Sequence, residues 1–251
     1  MQLPGFGRSR QNEASKLALV YKHAAITIAA SCASDDDQGF LRKRDALGIQ
    51  PLRLRSSKLL PDSSMHIDGD GPRDESKEGK LGHLADSGWA FQEFLLSRRV
   101  IDFAAQQIHW DCREVEANEP WPAGRHGTFG LSRPAIYPGA FREHWSASYR
   151  WSEVVKHYSS RRLTYSRDKL PAISVLAEEM ARLTGNSLGP YLAGIWQSNI
   201  LRELCWHVYD ESARFPLTYR ASSWSWASLD AFVYNTKEFH DREDPDVHLA
   251  E

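Results

Sequence analysis

Cysteine is scarce in this 251-residue chain: Cys32, Cys112 and Cys205 lie far apart and make an odd count. No C-x-x-C pair offers zinc spacing and no dense pattern suggests a secreted disulfide framework, so reduced thiols are expected. Long apolar runs are missing too. No stretch approaches the roughly 20 residues of a membrane span, and the amino-terminal MQLPGFGRSRQNEASK has no apolar core of signal-peptide length. A soluble, cytoplasmic protein is expected. Charge of one sign is also absent. The 31 basic and 33 acidic side chains leave a net charge of -2, which gives no global field to hold nucleic acid or a membrane surface. There is no Gly-x-Ser-x-Gly elbow, no phosphate-binding glycine loop and no histidine pair at metal-ligand spacing. Neither a metal nor a cofactor is expected.

What the chain does have is material for a core: 41% hydrophobic residues and nine tryptophans, enough for one large or two small domains. Residues 1–11 are polar and expected to be loose. Leu17, Val20, Tyr21 and Ala24 recur at helical spacing after a candidate Asn12 cap, and the spacing predicts a helix to about His23. Ala25 to Ala30 reads as a buried strand, short and β-branched, ended by SCASDDDQG. Residues 61–82 are rich in Gly, Asp, Ser and Pro and are expected to be a flexible loop. Within them Asp68-Gly69-Asp70-Gly71 lacks the ligand spacing of a calcium loop.

The most informative stretch is SGWAFQEFLLSRRVIDFAAQQIHWDC, Ser87 to Cys112. Gln92, Leu95, Leu96 and Arg99 keep helical spacing, then Arg99–Phe103 and Gln107–Cys112 read as two strands joined tightly into a hairpin. Residues 113–150, with four prolines, show no period and are expected to be irregular. Three helices should follow: one around Trp151–Tyr158, one capped by Asp168 and lined by Leu170, Ile173, Leu176, Met180 and Leu183, and a third over Leu188–Tyr209, the most buried. Trp224 and Trp226 stand two apart, on one side of an extended chain, as core residues or as a stacking platform. The tail from Lys237 is acidic and expected to be disordered.

The run from Gly88 to Cys112 resembles the Gly-Trp-Thr-x-Gln-Glu-Arg-Leu-Leu-Ser-x-Arg-Val segment of the fungal heterokaryon incompatibility (HET) domain family, carried here by Gly88, Trp89, Gln92, Glu93, Arg98 and Arg99. EASKLALVYKHAAITIAASCASDDDQGF at 13–40, and the stretches 151–180, 191–206 and 221–234, resemble further family pieces in the same order. Ser87, Ala90 and Phe94 stand where the family usually has Arg, Thr and Arg, and the family's opening strands have no counterpart, as in an amino-terminally truncated member.

The resemblance implies an α/β fold, an incomplete TIR-like HET domain at 12–112, followed by an irregular and then mostly α-helical region at 113–236. It also implies a non-enzymatic signalling protein of fungal non-self recognition and programmed cell death, acting through a protein partner or self-association. Under the alternative, TIR-like cleavage of NAD, Glu93 is the catalytic carboxylate. An inactive truncated paralogue is the third reading. From the residues alone, Glu93 either pairs with Arg98 or Arg99 or caps a neighbouring backbone, or it is a desolvated carboxylate fit for acid–base work. His109 and Cys112, three apart on a strand, point to opposite faces and form no dyad.

Overall fold

The computed structural model describes residues 8–35, 37–41, 43, 52–55, 64–67, 84, 86–105, 107–112, 114–119, 121–124, 136, 146–209 and 213–235, by backbone alone at 8–15, 52–55 and 64–67. The tail from Lys237 lies outside them. The architecture is mixed α/β, and the chain packs as two compact units, Leu19–Arg133 and Pro134–Glu251 with Met1–Ala18.

The Leu19–Arg133 unit is organised on a four-stranded sheet in which Thr27–Ala29 (β1), Arg99–Phe103 (β4), Ile108–Cys112 (β5) and Glu116–Asn118 (β6) lie side by side in that order. Helix α1, Arg8–His23, begins inside the stretch expected to be loose. Its last turn carries Lys22, whose positive side chain suits the negative end of the helix dipole. β1, Thr27–Ala29, runs parallel to β4, Arg99–Phe103. The expected buried strand is buried only at Ala29. Ile28 is 59% exposed, because β1 is the outermost strand of the sheet. The breaker after β1 is an Asp35 turn whose Oδ1 accepts from the backbone N–H groups of Asp37 and Gln38.

Ser64–Ile67, expected within the flexible loop, is strand β3, antiparallel to β2, Leu52–Arg55. The alternation Leu52-Arg53-Leu54-Arg55 has the period of a strand. The rest of 61–82 lies outside the described residues.

Helix α2, Gly88–Leu96, starts where Ser87 Oγ accepts from the Ala90 N–H at 3.2 Å. It buries Phe91, Phe94, Leu95 and Leu96, each contributing about 1.5–3 kcal/mol of transfer free energy. Ser97 turns the chain into extended conformation, and its hydroxyl lies 2.8 Å from Thr27 Oγ1, which ties the α2–β4 junction to β1. The predicted hairpin forms as β4 and β5, Ile108–Cys112, in the register Arg99↔Cys112 to Phe103↔Ile108. The region expected to be irregular from 113 opens with a further strand, β6, Glu116–Asn118, antiparallel to β5. A turn in which the Cys112 thiol sulfur accepts from the Val115 N–H at 3.3 Å makes that return.

In the second unit α3, Ala147–Ser159, is capped by Ser146 and buries Trp151, Val154, Val155 and Tyr158 as its periodicity predicts. Helix α4, Lys169–Leu183, buries Leu170, Ile173, Leu176 and Met180. Asp168 precedes it without a side-chain capping bond, because a 3-10 turn at Ser166–Asp168 leads straight into the helix.

The expected third helix is not there. Leu188–Tyr209 holds a two-residue hairpin of β7, Tyr191–Leu192, and β8, Ile195–Trp196. A helix of four residues follows, α5, Ile200–Glu203, and then β9, Trp206–His207, which pairs with β10, Tyr234–Asn235. Ala193 and Gly194 both take positive φ, 46° and 107°, the turn geometry that two-residue hairpins require and a helix forbids.

Polar contacts fasten the 220–233 segment to α3 and α4. Arg220 donates to the carbonyls of Ala227 and Leu229, each at 2.6 Å, and to Ser166 Oγ at 2.8 Å. Lys169 Nζ donates to the Leu229 carbonyl at 2.7 Å, and both cations meet Asp230 Oδ1, at 3.1 and 2.7 Å. Tyr158 donates to the Lys169 carbonyl, and Ser159 Oγ accepts from the Val233 N–H.

Candidate functional site

The six motif residues of the α2–β4 segment divide by burial. Gly88 and Gln92 are buried, Trp89 and Glu93 are half-buried, and Arg98 and Arg99 are exposed. The Gln92 amide oxygen is sealed from solvent and meets no donor among the described residues.

Glu93 is half-buried on α2, and its hydrogen-bond partner is the Tyr21 hydroxyl of α1. The expected pairing with Arg98 or Arg99 is replaced by this contact, because both arginines come after α2 ends and project to solvent. Burial raises the Glu93 carboxyl above its usual range, while the bond from Tyr21 pulls the other way. Burial and the same carboxylate push Tyr21 up to about 12. A carboxyl so placed holds its proton more readily than a surface one, which is the property a general acid needs.

One face of the sheet carries more chemistry than its sequence pattern announced. By register Val100, Asp102, His109, Asp111 and Glu116 share that face, and Asp102 and Asp111 are buried. Asp102, His109, Asp111 and Glu116 are all engaged in interactions. Cys112 belongs to the other face, as expected, and its thiol donates to the Val115 carbonyl. Among the described residues no three His, Cys, Asp or Glu side chains are grouped to hold a metal ion, and no helix is long and apolar enough to cross a membrane.

Trp224 and Trp226 do not share a face. Trp226 opens a 3-10 turn, Trp226–Ser228, and is 1% exposed, whereas Trp224 is 43% exposed. The turn that Ser225 caps rotates the second indole inward. Trp226 Nε1 finds its acceptor in the Gly194 carbonyl, which also accepts from Trp151 Nε1. A small cleft beside these indoles, bordered by Glu203 and Asn235, has about 10 Å3 of internal space. That is about the room of one water molecule and far below a ligand pocket. The Glu203 carboxylate there accepts from the Trp196 N–H at 2.7 Å and serves the hairpin.

The feature that sequence reasoning missed begins on the stretch it assigned to the deepest helix, Leu188–Tyr209, and continues past it. Leu201, Leu204, Tyr209, Phe215, Leu217, Tyr219 and Trp224 are all exposed large apolar side chains. The helical spacing of Leu201, Leu204 and Val208 concealed this. The available signal was Gly189-Pro190 and Gly194, which interrupt any helix before that spacing begins.

No protein-family model, no curated protein and no solved structure matches this chain.

Proposed function

We propose that the chain is a non-enzymatic signalling and interaction protein of the HET type, acting in fungal non-self recognition and the cell death that follows it. The reading joins the ordered HET-like motifs at 13–40 and 88–112 to one observation that carries it, the exposed apolar side chains between Leu201 and Trp224. Contiguous exposed apolar surface marks partner-binding faces, and large apolar side chains left exposed at Leu201, Leu204, Tyr209, Phe215, Leu217, Tyr219 and Trp224 support that reading. The TIR-like form of the α/β unit belongs to the same proposal.

The second reading, cleavage of NAD, is favoured by the raised Glu93 carboxyl. It requires Glu93 to give up the Tyr21 hydroxyl for a substrate.

The test is expression of the 251-residue chain in a filamentous fungus, with growth arrest as the readout, beside nicotinamide release from NAD by the purified protein. The interaction reading expects growth arrest that survives Glu93→Gln and is lost with Phe215→Asp and Leu217→Asp combined. Nicotinamide release that Glu93→Gln abolishes replaces it with the enzymatic reading. A folded protein with neither effect overturns both and leaves the inactive paralogue.

A further inference from the structure

The cleft beside the indoles of the second unit combines a one-sided chemistry with a very small size. The donors of its indoles and its serine are all committed. Trp151 and Trp226 Nε1 both donate to the Gly194 carbonyl, Trp206 Nε1 donates to the Trp224 carbonyl at 2.8 Å, and the Ser152 hydroxyl donates to the Tyr149 carbonyl at 2.7 Å. What remains along the cleft is acceptor capacity. The Asn235 amide oxygen is sealed from solvent and receives no hydrogen bond among the described residues. Glu203 is 3% exposed. A carboxylate has about four lone-pair sites, and the bond from the Trp196 N–H uses one of them.

An amide oxygen shut away from solvent without a donor is costly, and native interiors almost always supply one. The occupant that suits this cleft therefore brings two hydrogen-bond donors to two acceptors. Size narrows the choice further. The internal space is about 10 Å3, about the one probe sphere that a water molecule needs and too little for any side chain. Val155, Ile195 and Val233 close the remaining wall with apolar groups, so no further polar partner is called for there.

The position of the two acceptors gives the bridge a purpose. Glu203 is the last residue of α5 and Asn235 the last of β10. β10 pairs with β9 through only Tyr234↔His207 and Asn235↔Trp206, and a short two-stranded ladder has little stability of its own. A link from Asn235 to Glu203 fastens that strand to a second element.

We propose that the cleft is the binding site of one structural water molecule, which donates one hydrogen bond to Asn235 Oδ1 and the other to the Glu203 carboxylate and so ties β10 to α5. It goes beyond the interaction reading and does not depend on it.

Crystal structures of the full chain and of Asn235→Leu, at a resolution that shows ordered solvent, test it. The expected result is one solvent peak in the wild type at about 2.7–3.0 Å from both oxygens, absent from the variant, whose apolar side chain takes up the space. An empty wild-type cleft overturns the proposal. So does an Asn235 amide turned to donate directly to Glu203, because the two groups then need no bridge, and so does a peak that persists in the variant.

An ammonium ion would satisfy the same acceptors, and melting curves separate the two occupants. Water predicts that exchanging sodium chloride for ammonium chloride at equal concentration shifts the wild type and Asn235→Leu alike. A stabilisation by ammonium that only the wild type shows overturns the proposal and assigns the cleft to a cation.

Discussion

Trp151 of α3 and Trp226 of the carboxy-terminal turn share one acceptor, the carbonyl oxygen of Gly194, each indole N–H reaching it at 3.0 Å. Burial of two indoles without partners for their N–H groups is costly. A single hairpin residue meets both needs, and so joins a helix, a hairpin and a late segment of the chain.

Gly194→Ala should therefore be among the most damaging single substitutions in the second unit. Its φ of 107° is one that side chains rarely adopt, and a Cβ there would lie 2.6 Å from Trp226 Nε1. A loss of about 3 kcal/mol or more is expected from strain and overpacking together. Urea unfolding followed by tryptophan fluorescence measures it. A loss below about 1 kcal/mol would mean that the turn can relax away from the ring.

The Lys169–Arg220–Asp230 cluster predicts an alkaline rise in stability. Burial first, then Arg220, lowers Lys169 to about 8 against the 10.5 of a free side chain, with Asp230 opposing. Between those values the unfolded chain holds the extra proton, so stability increases with pH. The climb should run from about pH 8 to about pH 9.5, after which tyrosine ionisation in the unfolded chain reverses it, because burial raises Tyr158 and Tyr191. Lys169→Met should remove the climb in a series of melts across that range. A wild-type profile that stays flat would count against a buried charged lysine.

Asp230→Asn should act in the opposite sense, leaving Lys169 and Arg220 together without their carboxylate. Because the Asp230 side chain is 52% exposed, the expected loss is about 2 kcal/mol at pH 7, below the range for a fully buried pair. Burial raises the Asp230 pKa while Arg220 and Lys169 lower it further, for a net depression. The stabilisation is therefore present above the ordinary aspartate value and disappears as pH falls through the depressed one. Wild type and variant should converge in acid, which chemical denaturation at pH 2 and pH 7 checks.

Glu93 carries the reverse sign. Its folded-state pKa lies above 4.5, so the folded state holds the proton longer and stability declines as pH rises through that interval. Glu93→Gln keeps an oxygen to accept the Tyr21 hydroxyl and removes the charge. It should be at least as stable as the wild type at pH 7 and indistinguishable from it at pH 4 by thermal melting. A clear loss at pH 7 would show that the ionised carboxylate has a cationic partner.

The elements legible in the sequence were those specified by nearby residues. The β4–β5 hairpin follows from β-branched residues on either side of a short break, and α3 and α4 follow from apolar spacing that nothing interrupts. Leu188–Tyr209 misled because Leu192, Ile195, Trp196 and Leu201 fall at spacings compatible with either a helix or a hairpin, and two residues at positive φ decide between them. β6 carries only Glu116-Ala117-Asn118 and exists because β5 offers it an edge, which is a tertiary effect. Of the candidate site, the motif around Glu93 was readable. Its Tyr21 partner was not, since no local rule links a residue of α1 to one of α2.

The pairing of β1 with β4 bears on the order in which the sheet assembles. Its Thr27–Ser97 contact joins residues 70 positions apart, whereas β4, β5 and β6 close through short turns. Loop-closure entropy grows with the length enclosed, so the meander is expected to form early and β1 to add last. Until it does, β4 presents an open edge of the kind that pairs with other chains. Substitutions in β1 should therefore speed unfolding more than they slow folding, and slow docking of β1 would show as aggregation during refolding.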